Sequence, residues 1–228
     1  MSTLKTVETE VSTASALTEN VKPKRVLFID RDGTLINEAP PTYQLDAIEK
    51  ITFYPGMFTW MAKIAREMDF VLVMITNQDG LGTPTFPEDM FLPYHELVMR
   101  NLENEGIHFS EVLIDRTFPH ENALTRKPGT GLLTAYINSQ DYDLANSYVI
   151  GDRITDIQLA KNLGCKGIWL NLDEQLGAEE VSDTLKELDS TIALKTKSWE
   201  DIYAFLQLKE RVIKHTRNTN ETKIDIEI

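Results

Sequence analysis

Five short apolar runs, each ending in a polar residue, constrain this chain more than any other feature. Residues 26–29 end in Asp30, residues 71–75 in Thr76 and Asn77, and residues 112–114 in Asp115. Residues 148–150 end in Gly151 and Asp152, and residues 167–170 in Asn171. Runs of this length that are apolar at successive positions read as strands buried on both faces, the signature of a parallel sheet.

Helical patterns lie between them. Phe58, Met61, Ala62, Ala65 and Met68 share one helical face. Leu97, Val98 and Leu102 form a second stripe, with Pro93 at a plausible first-turn position and Gly106 as a stop. Leu132, Leu133, Tyr136 and Ile137 make a third, and Ile157, Ala160 and Leu163 a fourth, closed by Gly164. Ser198, Trp199, Glu200 and Asp201 resemble a capping box that opens a last helix through Val212. Alternating strands and helices predict an α/β fold with a doubly wound, Rossmann-like central parallel sheet. In such sheets ligands bind at the carboxyl ends of the strands, where the polar residues above fall.

Composition removes several function classes. Twenty-three basic against thirty-six acidic residues leave a net charge of −13, which argues against gripping nucleic-acid phosphates. A small phosphate ester needs only one local positive pocket and remains open. The single cysteine, Cys165, rules out an intrachain disulfide and a multi-cysteine zinc site, and reads as a small packed thiol. No apolar run reaches membrane-spanning length, and the start lacks a signal peptide's pattern, so a cytoplasmic protein with no membrane partner is expected. Residues 1–23, rich in Ser and Thr, are expected to be a disordered tail. The acid-rich stretch 173–189 reads as a solvated face or loop.

The candidate chemistry sits at the run ends. Asp30 and Asp32, two residues apart with Gly33 to permit a sharp turn, can share one site. One carboxylate can attack phosphorus while the other donates and accepts protons. Two such anions call for a hard cation, and Mg²⁺ binds through one or two carboxylates plus phosphate oxygens. Thr76, Asn77 and Gln78 can hydrogen-bond phosphoryl oxygens. Lys127 can neutralise a transferring phosphoryl group and Arg126 can grip phosphate bidentately. Asp152 can complete a metal site, with Asp156 behind it. Each signal alone has a bland alternative: an Asp-Gly turn, a strand-end cap, solvated cations, or a helix N-cap at Asp152. Their order along consecutive strand ends is the specific observation.

Taken together, Asp30-x-Asp32-Gly33-Thr34, Thr76, Lys127 and Gly151-Asp152-x-x-x-Asp156 resemble the four motifs of the haloacid dehalogenase-like (HAD-like) phosphatases. Longer blocks around residues 28–35, 74–83, 126–128 and 146–160 look like the histidinol-phosphatases within that superfamily. The resemblance implies a phosphatase domain over 24–212 without a large cap domain, acting on a small phosphate ester. It implies Asp30 as nucleophile, Asp32 as general acid and base, and Thr76 and Lys127 as holders of the phosphoryl group. Mg²⁺ would be bound by Asp30, the Asp32 backbone carbonyl and Asp152, with Asp156 in support. Arg31, Asn77, Gln78, Arg126 and Glu38 are the expected substrate-binding residues, with the acids Glu38, Asp79 and Glu121 suited to a cationic substrate. Residues 213–228 resemble a linker and the opening strand of imidazoleglycerol-phosphate dehydratase, so that domain is expected in the same full-length chain.

One departure is plain. Many members of the family bind zinc in the loop before the lysine, through cysteines and a histidine. The corresponding positions here are Asp115, Thr117, Ala123 and Thr125, so no structural zinc is expected. Ion pairs of Arg116, His120 and Glu121, or packing of Phe118 and Pro119, are the candidate substitutes. Two rival readings remain at this stage: a heptose-bisphosphate phosphatase, and a catalytically silent scaffold of the same fold.

Overall fold

The computed structural model describes residues 22–217 apart from 39, 41 and 172, with side chains to 210. Most of the expected tail (1–23) and the dehydratase-like stretch from 218 onward therefore lie outside the described residues. Six parallel strands form one sheet: β1 Arg25–Ile29, β2 Phe70–Asn77, β3 Glu111–Asp115, β4 Tyr148–Gly151, β5 Lys166–Trp169 and β6 Ile192–Lys195. Their order is β3-β2-β1-β4-β5-β6. The chain winds outward from β1 on one side, then returns to start β4 against its other edge. That reversal between β1 and β4 is the switch point where such sheets open a crevice.

The pleat explains the continuous apolar runs. Leu27 and Ile29 of β1 join one core cluster, while Val26 and Phe28 join the other. The first cluster is closed by three helices, α1 Met57–Glu67, α2 Glu88–Asn104 and α6 Trp199–Arg217. The second is closed by α3 Thr134–Ile137 and α4 Ile154–Leu163. Met57, Met61 and Ile64 of α1 are fully buried, each contributing roughly 1.5–3 kcal/mol of apolar burial. Cys165 packs into the second cluster as a buried free thiol. Among the described residues no cap domain is inserted, and no helix is long and apolar enough to cross a membrane.

Four expectations shift. Helix α2 begins at Glu88, so Pro93 lies inside it; Pro87 supplies the cap, and Glu88 and Asp89 suit the positive end of the helix dipole. The acid-rich stretch is not merely solvated: it carries α5 Leu185–Leu188, whose Leu188 packs on Ile154, Ile157 and Trp169. Strand β6 was not expected, because a four-residue, half-exposed edge strand with Ala and Lys leaves no long apolar run. Helix α6 also continues unbroken past Val212, to Arg217.

Candidate functional site

Sheet register sets the nucleophile candidate. The Asp30 amide donates to Ile150 O at 2.9 Å, so β1–β4 pairing extends to the residue that leaves the sheet. The turn that follows runs at Gly33 with φ of 77°, a left-handed conformation glycine adopts at little cost. A Cβ on Gly33 would sit 2.2 Å from Asp152 Oδ2, and one on Gly151 would sit 2.1 Å from Asp156 Oδ2. Both glycines leave room for a neighbouring carboxylate. Two tryptophans tie down the loops from outside the site: Trp169 Nε1 donates to Asp152 O at 2.9 Å, and Trp199 Nε1 to Thr34 O at 3.0 Å.

Asp30, Asp152 and Asp156 converge, each offering an oxygen within 4.8 Å of the others. Lys127 Nζ donates to Asp30 Oδ1 at 2.6 Å and to Asp156 Oδ1 at 2.8 Å. Asp156 Oδ2 accepts from the Arg153 amide at 3.1 Å at the start of α4. Burial pushes Asp30 up to about 7, with Asp156 and Asp32 adding repulsion against the opposing pull of Lys127. Burial also raises Asp152 well above the usual carboxylate range, with Asp30, Asp156 and Glu38 adding to it. Burial works against the Lys127 charge, yet Asp156 and Asp30 together outweigh it and hold its pKa above the usual lysine value. Asp152 Oδ1 is buried and has no hydrogen-bond partner. An orphaned carboxylate oxygen beside two crowded acids fits a hard cation with oxygen ligands.

A cavity of about 470 Å³ opens above this cluster, lined by Asp30, Asp32, Thr76, Lys127 and the rim acids Glu38 and Glu179. The other expected residues divide by placement. Asn77 lines the cavity, but its side chain clasps the Lys127 backbone: Nδ2 donates to Lys127 O at 3.2 Å and Oδ1 accepts from Lys127 N at 3.0 Å. Gln78 donates to Asp32 Oδ2 at 2.6 Å and to Thr76 Oγ1 at 2.9 Å. Glu38 is ion-paired with Arg153 at the rim. The Arg126 guanidinium is taken up by Asp79 at 2.6 Å, Glu180 at 2.7 Å and Thr117 O at 2.9 Å. It therefore joins three loops at the cavity wall. Arg31 does not line the cavity; it lies beneath Asp32.

The loop before Lys127 is ordered by a device the sequence reading missed. Asp115 Oδ1 accepts from Thr117 N at 2.9 Å and Thr117 Oγ1 at 2.5 Å, and Oδ2 accepts from Thr125 Oγ1 at 2.6 Å. Three of the four positions aligned with zinc ligands in the family thus form a hydrogen-bonded knot. These residues do not fit a zinc ion: Ala123 offers no donor and both Asp115 oxygens are engaged. The foreseen substitutes are present beside it only in part. Arg116 pairs with Glu88 and the Phe118 ring covers Gly80, while Glu121 accepts from the Phe118 backbone N at 2.7 Å and the His120 ring stacks on Phe118.

A carboxylate pair at the switch point, a lysine bridging two acids and an orphaned metal-ready oxygen define a HAD-type hydrolase site. The HAD-hydrolase-like family model matches residues 124–187. It is similar to the histidine biosynthesis bifunctional protein HisB of Bacteroides fragilis, 50% identical over 203 residues, covering 88% of this chain and 52% of the relative. The Spirosoma linguale protein of the same name is 48% identical over 208 residues, covering 90% and 54%. The chain spans about half the length of the curated relatives it matches. In fold it is similar to D,D-heptose 1,7-bisphosphate phosphatase from B. bronchiseptica, solved with magnesium and phosphate. That likeness has a TM-score of 0.66 at 20% identity, covering 82% of this chain and 99% of that one.

Proposed function

We propose that this chain hydrolyses L-histidinol phosphate to L-histidinol and phosphate, through an aspartyl-phosphate intermediate. The observation that carries the reading is the Lys127 bridge between Asp30 and Asp156 at the β1–β4 crevice, in a chain 50% identical to a histidine-biosynthesis protein. The Asp30 carboxylate attacks phosphorus while the ester P–O bond breaks. Asp32 gives its proton to the departing alcohol oxygen. In the second half, Asp32 takes a proton from water whose oxygen attacks phosphorus, the P–O bond to Asp30 breaks, and phosphate leaves. Lys127 holds positive charge at the phosphoryl oxygens throughout, and Thr76 offers its hydroxyl. Asp30, the Asp32 carbonyl and Asp152 would hold Mg²⁺, which supplies further charge neutralisation when bound. The rim sets four acids, Glu38, Asp79, Glu179 and Glu180, against two arginines, Arg126 and Arg153, and that excess favours a substrate carrying an ammonium group.

The domain assignment belongs to the same reading: a phosphatase unit over 24–212, a cytoplasmic enzyme, and a second, dehydratase domain in the full-length protein. The word bifunctional in the relatives' name supports the last point. The test is phosphate release from histidinol phosphate with added Mg²⁺, beside heptose bisphosphate and an Asp30→Asn control. Release from histidinol phosphate that the control abolishes supports both substrate and nucleophile. Release from the heptose ester alone overturns the substrate, and release from neither overturns the activity.

A further inference from the structure

Arg31 is a cation with no solvent exposure. All three guanidinium nitrogens are engaged. Nε donates to Asp32 Oδ1 at 3.1 Å, Nη2 to Asp32 Oδ2 and to Gln78 Oε1, both at 2.9 Å, and Nη1 meets His95 Nδ1 at 3.3 Å. Arginine can only donate, so Nδ1 is the accepting nitrogen and the neutral ring carries its proton on Nε2. Burial and the neighbouring guanidinium push His95 down to about 4, which keeps it an acceptor at neutral pH. Phe91 and His95 are one turn apart on α2 and form a cup. The guanidinium lies 4.8 Å from the Phe91 ring centroid, and the His95 ring stacks on the same phenyl at 5.0 Å.

The chain of contacts ends on Asp32. With Gln78 Oε1 committed to Arg31, Gln78 Nε2 is turned toward Asp32 Oδ2 at 2.6 Å. The Asp32 carboxylate is therefore gripped by two arginine nitrogens and one amide. Neither Arg31 nor His95 lines the cavity. We propose that Arg31 and His95 are positioning residues that hold Asp32 in the orientation from which it protonates the leaving alcohol. The inference rests on the aspartyl-phosphate reading above, and predicts a loss confined to substrates that need that proton.

Alkyl phosphates expel a poor leaving group and need the proton; p-nitrophenyl phosphate expels a stable phenolate and does not. Because kcat/KM reports events only through the first irreversible step, departure of the alcohol, it excludes the later role of Asp32 as base. The experiment compares kcat/KM for histidinol phosphate and p-nitrophenyl phosphate in wild type, His95→Leu and His95→Gln. His95→Leu is expected to lower the histidinol phosphate value by about 10- to 100-fold, the range for a misplaced catalytic group, and to leave the aryl value within about threefold. His95→Gln, whose amide oxygen can accept from Arg31, is expected to restore the ratio. Arg31→Lys keeps the charge without the fork and is expected to show the same selective loss, which serves if His95→Leu fails to fold. Equal losses on both substrates, or no loss on either, overturn the proposal. A wild type active on glycerol phosphate but inert on histidinol phosphate overturns the substrate reading alone, and the ratio is then taken with glycerol phosphate.

Discussion

Asp115 ends β3 and Asp152 follows β4, with β2 and β1 between them in the same sheet, and the two are equally buried, each 3% exposed. Their surroundings differ completely. Asp115 has both oxygens engaged by two threonine hydroxyls and an amide within a single loop. Asp152 has an orphaned oxygen and faces two more carboxylates. A buried acid whose oxygens are all satisfied is a strut, while one left wanting a partner among like charges awaits a cation. The contrast separates a structural aspartate from one proposed to be functional without reference to motif.

The largest effect that tests this contrast is at Asp30, the proposed nucleophile. Asp30→Asn is expected to lower phosphate release on the order of 10⁴-fold or more while the fold persists, measured by steady-state kinetics beside circular dichroism. A mild effect would return the cluster to the status of a strut.

Metal response comes next. Asp30 and Asp152 have folded-state values raised above their unfolded ones. Their contribution to stability is therefore present in acid, below about pH 4, and is lost as pH rises toward 7, the folded value for Asp30. Added Mg²⁺ is expected to counter that loss. At a hundred times its dissociation constant it adds about 2.7 kcal/mol. Melting curves at pH 5 and pH 8, with and without Mg²⁺, should show stabilisation mainly at pH 8, and Asp152→Asn should remove it.

Asp115→Ala is expected to cost about 1 kcal/mol of stability by removing the acceptor of three half-buried hydrogen bonds, with the Mg²⁺-dependent shift intact. Chelators should not change the melting temperature through this loop, and elemental analysis should find no stoichiometric zinc. A zinc-dependent melt would dissolve the comparison. The smallest effect is at the exposed rim: Glu179→Gln should raise KM for an ammonium-bearing substrate by about two- to fivefold, the range of a solvated ion pair, and leave a phosphate ester without a cationic group unaffected.

The α/β alternation was legible because strands buried on both faces leave continuous apolar runs, as residues 26–29, 148–150 and 167–169 do. Asp30, Lys127, Asp152 and Asp156 were legible as a group because each follows a strand end, and topology alone brings strand ends together. The Arg31–His95 contact was not, since it needs α2 to cross beneath the β1 loop, and the spacing of 64 residues carries no sign of it. Strand β6 offers only the three-residue run 192–194, half-exposed at the sheet edge and not followed by a candidate site residue, and the Asp115 knot depends on loop geometry that two threonines and an aspartate do not announce.

Arg126 carries a consequence for turnover. Its guanidinium fastens the loops after β2, β3 and β5 through Asp79, Thr117 and Glu180. Three segments joined at one point are expected to move together, and if the wall they form must open for the alcohol to leave, that shared motion would limit turnover.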